Sequence, residues 1–320
     1  MRLIWLSVFA FVWLVVPSVS LAQFNDLTSG VSLEVSPQYP QPGEVVTVRL
    51  NDYTLQGNAT GITWLVDGVA EPTVANQRSV QLAASDIGQT TTVTAQLTTS
   101  AGGVVSANTT IAPSSVVLIV EPQTTAPNWY QGRALPSVGS QVRVVAIPQT
   151  RDELAPEAYT YTWRLNNEVI SGGAVQGQYQ NVLTMPFGRS ANLDVIVSNR
   201  AGTVVAQRSV VIPNQEPEVY FYELNPLRGM GRLALGDTVP LVGSEMTMRA
   251  EVFHMSTGVS ESNMLYEWKV NGRTTENPSR DPQTITVQNG GGTGSFSVAF
   301  AMRSLQNLLQ GAERTFNLVF

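Results

Sequence analysis

A short pattern built around tryptophan occurs three times in the chain, at intervals of about 100 residues. The copies read ITWLVDG from Ile62, YTWRLNN from Tyr161 and YEWKVNG from Tyr266. In each copy apolar and polar residues alternate around the tryptophan, which is typical of a β-strand with one buried face. Two copies end in Asp-Gly or Asn-Gly, which accept the positive φ angles of a two-residue hairpin turn, and the Asn-Asn of the other is a weaker version. The pattern therefore predicts a core strand followed by a hairpin, with Trp64, Trp163 and Trp268 in the core.

The sequence on both sides of each tryptophan repeats as well. An apolar strand begins each copy, at Val31, Val116 and Val219. A second strand follows a glycine in each copy, at Gly43, Gly139 and Gly243. A later alternating run starts at Thr92, Asn192 and Ser295, and one more strand ends each copy. These strands predict an all-β chain with domains at 31–113, 114–214 and 215–320, each the size of a β-sandwich.

The Y-x-W-x-V/L-N/D-G strand resembles that of immunoglobulin-like sandwiches, and more nearly that of the bacterial Ig-like and PKD-like repeats of exported surface proteins. The resemblance covers nearly all of residues 31–320 and implies three tandem immunoglobulin-like β-sandwich domains. The chain departs from antibody domains in having no cysteine, and from PKD domains in having a shorter stretch after the tryptophan. The motif is specific for a fold and unspecific for a function.

The N-terminus predicts export. A short positive start, Met1-Arg2, precedes an apolar run of residues 3–16, and small residues at Ser20 and Ala22 form a cleavage site. We expect a signal peptide at 1–22 and a linker at 23–30. The alternative is an uncleaved N-terminal anchor, which would be the chain's only contact with a membrane.

Composition excludes several classes of function. The formal net charge of −6 argues against binding to nucleic acid. The absence of cysteine excludes disulfides and thiolate metal sites. His254 is the only histidine, so a Ser–His–Asp triad would have to use it, and no G-x-S-x-G motif accompanies it. The sequence therefore predicts no enzyme, no cofactor and no metal.

One acidic loop, QTRDELAPEAY, leaves alternatives open. Asp152, Glu153 and Glu157 are candidates for the paired carboxylates of a glycoside hydrolase, or for Ca²⁺ ligands. The chain has no D-x-D-x-D spacing here, so a solvated loop is the simpler interpretation.

The best places to look for function are those where the repeats differ. The second repeat has a long connection from Pro122 to Pro136 that contains Trp129 and Tyr130. Paired aromatic residues in a polar loop are typical of a recognition site. The alternative is that Trp129 caps its own sandwich or packs against the neighbouring domain.

The third repeat replaces the Ala-Gly hairpin of the others by RSLQNLLQGAER. Leu305, Leu308 and Leu309 have the spacing of a helical turn, with Gly311 as its stop. The segment is either a docking element for a partner or a plug over the end of the last domain. The final FNLVF is interpreted as the last strand of the third sandwich.

Together these features predict an exported, non-enzymatic structural or adhesive protein whose Ig-like modules bind an unknown protein or surface. One alternative is a component of a cell-surface machine, such as a pilus or secretion assembly. The other is a carbohydrate-binding module in which Trp129 and Tyr130 form a stacking platform.

Overall fold

A computed structural model describes residues 30–53, 59–258, 260–276 and 280–320. The predicted signal peptide lies outside the described residues. The regular secondary structure of the described chain is nearly all β-strand, with three short 3₁₀ turns at Pro72–Val74, Pro156–Ala158 and Glu261–Asn263. It divides into two compact units, the first holding most of the first repeat and the second holding the other two repeats. The division into three domains therefore stays a prediction.

The first repeat contains the strands β1 (Val31–Ser36), β2 (Val45–Asp52), β3 (Ala59–Val66), β4 (Val69–Ala70), β5 (Ser79–Ala83), β6 (Thr91–Thr99) and β7 (Val104–Ile111). They form two sheets, with the strand orders β1-β2-β5 and β4-β3-β6-β7. Alternate residues of β2 and β6 are buried with Trp64, as their period-2 pattern predicts.

The second repeat has the same strand order. Its strands are β8 (Ser115–Pro122), β9 (Gln141–Gln149), β10 (Thr160–Leu165), β11 (Glu168–Gln176), β12 (Gln180–Thr184), β13 (Ser190–Ser198) and β14 (Val204–Pro213). One sheet has the order β12-β9-β8 and the other β11-β10-β13-β14. Trp163 of β10 belongs to one core cluster with Val144 of β9 and Val195 of β13, so the two sheets face each other.

The third repeat adds two short strands to this plan. Its strands are β15 (Glu218–Asn225), β16 (Gly229–Met230), β17 (Thr238–Pro240), β18 (Glu245–Phe253), β19 (Met264–Val270), β20 (Arg273–Thr275), β21 (Thr284–Gln288), β22 (Ser295–Ser304) and β23 (Gly311–Val319). The sheets have the orders β16-β15-β18-β21 and β17-β23-β22-β19-β20. The added β17 runs parallel to β23.

Apart from β16 and β17, which are added in the third repeat, every repeat has seven strands in the same order. The first, second and fifth of these seven lie in one sheet, and the other four lie in the facing sheet. Immunoglobulin-type sandwiches likewise keep the first, second and fifth strands in one sheet and the third, sixth and seventh in the other, with the tryptophan strand in the second sheet. In this chain the fourth strand also lies in the second sheet, beside the tryptophan strand. The predicted fold class, an all-β chain of Ig-like sandwiches, is confirmed. Residues 316–319 of FNLVF form the end of β23, which pairs with β22, as predicted.

The repeated motif builds the same anchor in every repeat. Each tryptophan is buried, and its indole Nε1–H donates at 2.9 Å to a backbone carbonyl, that of Gln77, Gln178 or Pro282. The first residue of each hairpin turn has a left-handed φ, as the turn type requires. The side-chain oxygen of this residue accepts a backbone N–H from β6, β13 or β22. Asp67 accepts from Thr92 (2.7 Å), Asn166 from Asn192 (2.9 Å) and Asn271 from Ser297 (3.0 Å).

The predicted helical turn at Leu305, Leu308 and Leu309 is wrong, and the third repeat keeps its hairpin. Strand β22 continues to Ser304 and β23 begins at Gly311. The Ser304 hydroxyl accepts the backbone N–H groups of Gln306 (3.2 Å) and Asn307 (3.0 Å). Such side-chain bonds to nearby backbone compete with helical ones, and they turn the chain here instead.

Candidate functional site

The long connection between β8 and β9 leaves the second repeat and lies along the third. Thr124 forms an antiparallel β-bridge with Ser256. The backbone N–H of Thr125 donates to the carbonyl of Met255 at 2.6 Å, and the carbonyl of Thr125 accepts the N–H of His254 at 2.8 Å. We call this contact between the β8–β9 connection, residues 253–257 and the β22–β23 loop the junction. Its centre is the backbone pairing of Thr124 and Thr125 with residues 254–256, which follow β18.

Side chains extend this backbone pairing. The hydroxyl of Thr125 donates to the carbonyl of Val252 at 3.0 Å and accepts the N–H of Met255 at 3.1 Å. The hydroxyl of Thr124 donates to the carbonyl of Leu135 at 2.8 Å, within its own loop. Two adjacent threonines therefore hold the start and the end of the connection in place.

The structure places Trp129 and Tyr130 against the third repeat. The rings of Trp129 and Tyr222 meet edge to face, with centroids 4.9 Å apart. Tyr130 meets Phe253 in the same way at 5.1 Å. Each side chain is still exposed, Trp129 by 41% and Tyr130 by 42%. The rings therefore pack on the neighbouring repeat and also remain accessible to solvent, and the recognition role of the pair stays a prediction.

Gly132 fixes the position of the Tyr130 ring. A Cβ atom on Gly132 would lie 2.4 Å from Cζ of that ring, which is closer than real contacts allow. The Tyr130 ring is thus held between the backbone of Gly132 and the ring of Phe253. A side chain at position 132 would displace it.

The two aromatic residues line a cleft of about 670 Å³, which we call the aromatic cleft. It is lined by Trp129, Tyr130, Gln131, Gly132, Met230, Gly231 and Arg232. This lining contains one guanidinium group and no carboxylate. The volume falls in the range of about 300–1,000 Å³ that is typical of small-ligand sites.

His254 is a structural residue of the junction. Its side chain is buried, its φ angle is +62°, and its Nδ1 accepts the backbone N–H of Leu135 at 3.1 Å. In a hydrolytic triad Nδ1 would donate to a carboxylate, whereas here it must carry a lone pair. Burial lowers the pKa of His254, while the carboxylate of Glu218 acts in the opposite direction.

The junction should weaken on acidification. Because the folded-state pKa of His254 lies below its ordinary value of 6.5, the unfolded chain takes up the proton first as the pH falls. The stabilisation is therefore complete above about pH 6.5 and decreases below it. Chemical denaturation between about pH 7.5 and 5.5 should show a decreasing free energy of unfolding.

His254→Asn provides the matched variant for this measurement. Asparagine tolerates a left-handed φ and offers an oxygen acceptor near the place of Nδ1, but it does not titrate. The difference in unfolding free energy between wild type and variant isolates the histidine from the carboxylates. If the difference stays constant across the pH range, the pH dependence of stability does not come from His254.

Gln310 connects the two repeats from the β22–β23 loop. Its side chain is 1% exposed. Oε1 accepts the N–H of Ser256 at 2.7 Å, and Nε2 donates to Oγ of Ser137 at 2.9 Å and to the carbonyl of Val138 at 2.7 Å. Asn307 of the same loop donates to the carbonyl of Gly139 at 3.2 Å. Polar residues of this loop thus make the contact with the second repeat.

The three leucines that the sequence selected in this loop remain largely exposed. Leu308 is 94% exposed, and Leu305 and Leu309 also face solvent. Leu308 and Leu309 line a smaller, shallow cleft with Arg303 and Glu313, whose side chains form an ion pair at 3.1 Å. Leu308 and Leu309 line a different cleft from the aromatic pair, and Leu305 lines neither of the two, so the structure does not bring the two sets of candidates together in one site.

The remaining candidates form no recognisable centre. Asp152 and Glu153 lie in an exposed turn before the 3₁₀ turn that contains Glu157. Within the described ranges, no group of three or more acidic or histidine side chains could hold a metal ion. In the same part of the chain, no helix has the length and apolar character needed to cross a membrane.

Sequence reasoning missed Gln310, His254 and Thr125 as junction residues. Their partners lie far away in sequence, 173 residues for Gln310 and Ser137, 119 for His254 and Leu135, and 127 for Thr125 and Val252. The isolated Gly132 beside the aromatic pair was an available local signal, since glycine permits close approach of a ring to the backbone.

No protein-family model and no curated protein matches the sequence. Among solved structures, the fibronectin(III)-like modules of Clostridium thermocellum CbhA are 10% identical and match 57% of this chain and 94% of theirs, with a TM-score of 0.27. Three N-terminal domains of the bacteriophage RB49 highly immunogenic outer capsid protein are 13% identical and match 90% and 97%, with a TM-score of 0.25. The central fibronectin-III array of RIM-binding protein is 11% identical and matches 88% and 92%, with a TM-score of 0.26. At these scores the likenesses carry no argument about function.

Proposed function

We propose that the protein is an exported, non-enzymatic structural protein that presents Ig-like modules for binding, with its second and third repeats working as one unit. The observation that carries this proposal is the junction. Linkers between domains usually leave them free to move relative to each other. Here backbone pairing, buried side-chain hydrogen bonds and two aromatic contacts connect the repeats.

The chemistry of the junction favours a mechanical or presenting role. Its only histidine is engaged as an acceptor of a backbone N–H. The buried Gln310 and the half-buried Thr125 bond mainly to backbone groups, and the one side-chain partner of Gln310 is the hydroxyl of Ser137. Such an arrangement fixes geometry, and a fixed geometry lowers the entropy lost when a surface binds a partner.

Export is the part of this proposal that a direct experiment tests first. The full chain is expressed in a bacterium, cells are fractionated, and the N-terminus of the protein is determined by mass spectrometry. We expect cleavage after Ala22 and recovery of the chain outside the cytosol. An unprocessed chain in the envelope would support the anchor alternative, and an unprocessed cytosolic chain would overturn the proposal.

A further inference from the structure

The aromatic cleft carries positive charge in an acidic protein. Arg232 lines it, Arg133 directly follows its Gly132, and Arg228 lies in the turn that leads to its Met230. All three arginines are exposed, and in the part of the chain that the structure describes none of them forms an ion pair. The whole chain has a net charge of −6. Arg232 is thus a guanidinium group without an ion-pair partner among the described residues, in a lining without carboxylates, and such a group matches an anionic ligand.

Four other clefts of the second and third repeats each include at least one carboxylate in their lining: Glu313 in one, Asp194 in another, Glu223 in a third, and Glu216, Glu218 and Glu313 in the fourth. The cleft that contains Glu223 adjoins the aromatic cleft and shares Gly231 and Arg232 with it. The lining of the aromatic cleft differs from these four in having no carboxylate.

The aromatic surface of the cleft is preformed. Trp129 and Tyr130 are each supported by a buried ring of the third repeat, and Gly132 leaves room for the Tyr130 ring. Rings held in this way lose little conformational entropy when a ligand binds. Sugar rings suit such a surface, because their C–H groups pack on aromatic rings while their hydroxyl groups face amides and water.

A peptide fits the cleft less well. Peptides often bind by adding a strand to an exposed sheet edge, where backbone hydrogen bonds supply the affinity. The strand that borders the cleft, β16, has only two residues. Recognition here must rest on side chains, and those available are two aromatic rings, an amide, a thioether and a guanidinium group.

We propose that the aromatic cleft binds acidic oligosaccharides, whose carboxylate or other anionic groups are recognised by Arg232. Trp129 and Tyr130 stack on sugar rings, Gln131 bonds to hydroxyl groups, and the planar guanidinium group of Arg232 pairs with a carboxylate through two N–H bonds. This inference deepens the proposed binding role by naming its ligand class, and it rests on that role.

Calorimetric titration of the purified chain provides the test. The probes are four-sugar acidic oligosaccharides, made of galacturonate, glucuronate, mannuronate or sulfated galactose, and their neutral counterparts. We expect at least one acidic probe to bind. The affinity for its neutral counterpart should be lower by a factor of roughly ten or more. The affinity should also decrease as the salt concentration rises.

Three variants assign the binding to the cleft. Trp129→Ala and Arg232→Gln should each reduce the affinity roughly tenfold or more. Gly132→Ala changes none of the contact residues, but its Cβ atom displaces the Tyr130 ring, so it should also weaken binding. Gly290→Ala is the matched control, since a Cβ atom there meets nothing within 4 Å, and its affinity should equal that of wild type.

Several results would overturn the proposal. They are no binding of any acidic probe at millimolar concentration, equal binding of neutral probes, or binding that survives both Trp129→Ala and Arg232→Gln. Stronger binding of a polyglutamate peptide that competes for the same site would replace the sugar by an acidic peptide. None of these results alters signal cleavage or the stability of the junction, which test the proposed function separately.

Discussion

Replacing Trp163 by alanine should reduce the free energy of unfolding of the second repeat by about 3–5 kcal/mol. The side chain is fully buried between the two sheets, so its removal leaves a large cavity. It also leaves the carbonyl of Gln178 without the indole N–H that it accepts at 2.9 Å. Urea denaturation followed by circular dichroism measures the effect as a shift of the midpoint at an unchanged slope.

Two further variants separate the causes of this loss. Trp163→Phe keeps most of the apolar contact but removes the indole N–H, so it should cost less than the alanine variant. Arg164→Ala changes the exposed neighbour on the same strand and should stay within about 0.5 kcal/mol of wild type. A loss below about 1 kcal/mol for Trp163→Ala would mean that the repeated tryptophan is not a core anchor.

The fold could be predicted because its signal is local and occurs three times. Alternation along YTWRLNN places Tyr161 and Trp163 on one face, and both are buried, whereas Arg164 is exposed. The same phase in the other two copies makes a chance pattern improbable. The turn residues could be predicted for the same reason, because the positive φ angles of Asn166 and Asn167 depend on residue type and not on distant contacts.

The error in the β22–β23 loop has a different physical origin. Leucines at i, i+3 and i+4 satisfy the helical pattern, but a pattern of five residues is too short to exclude a loop. The conformation is decided by polar side chains, since Ser304 accepts two backbone N–H groups and Asn307 accepts the N–H of Leu309 at 3.1 Å. The serine and asparagine in this segment argue against a helix, because the side chains of both residue types compete with helical backbone hydrogen bonds.

The candidate site was only half predictable. Trp129 and Tyr130 could be selected because they occur in one repeat and not in the others. Their supports, Tyr222 and Phe253, lie in the next repeat and follow ordinary strand patterns, so nothing in the sequence pairs them with the loop. Contacts between repeats depend on how the two sandwiches meet, and a single sequence does not encode that in any local pattern.

Gln310→Ala should open the junction and leave both sandwiches folded. The substitution removes three hydrogen bonds from a buried side chain and leaves Ser256 N–H and the carbonyl of Val138 without these partners. Each buried polar group left unpaired costs about 1–3 kcal/mol. We therefore expect the free energy of opening at the junction to fall by about 3 kcal/mol, which corresponds to roughly 100-fold faster hydrogen exchange.

Hydrogen exchange followed by mass spectrometry locates this effect. Peptides that contain Thr125 or His254, whose amides bond across the junction, should exchange faster, whereas those of the core strand β13 should not change. Gln306→Ala is the matched control, because Gln306 is an exposed glutamine of the same loop. Protection at Thr125 and His254 that is unchanged in Gln310→Ala would show that the backbone pairing alone holds the repeats together. Equal loss in the Gln306 variant would assign the effect to the loop as a whole instead of to the buried amide.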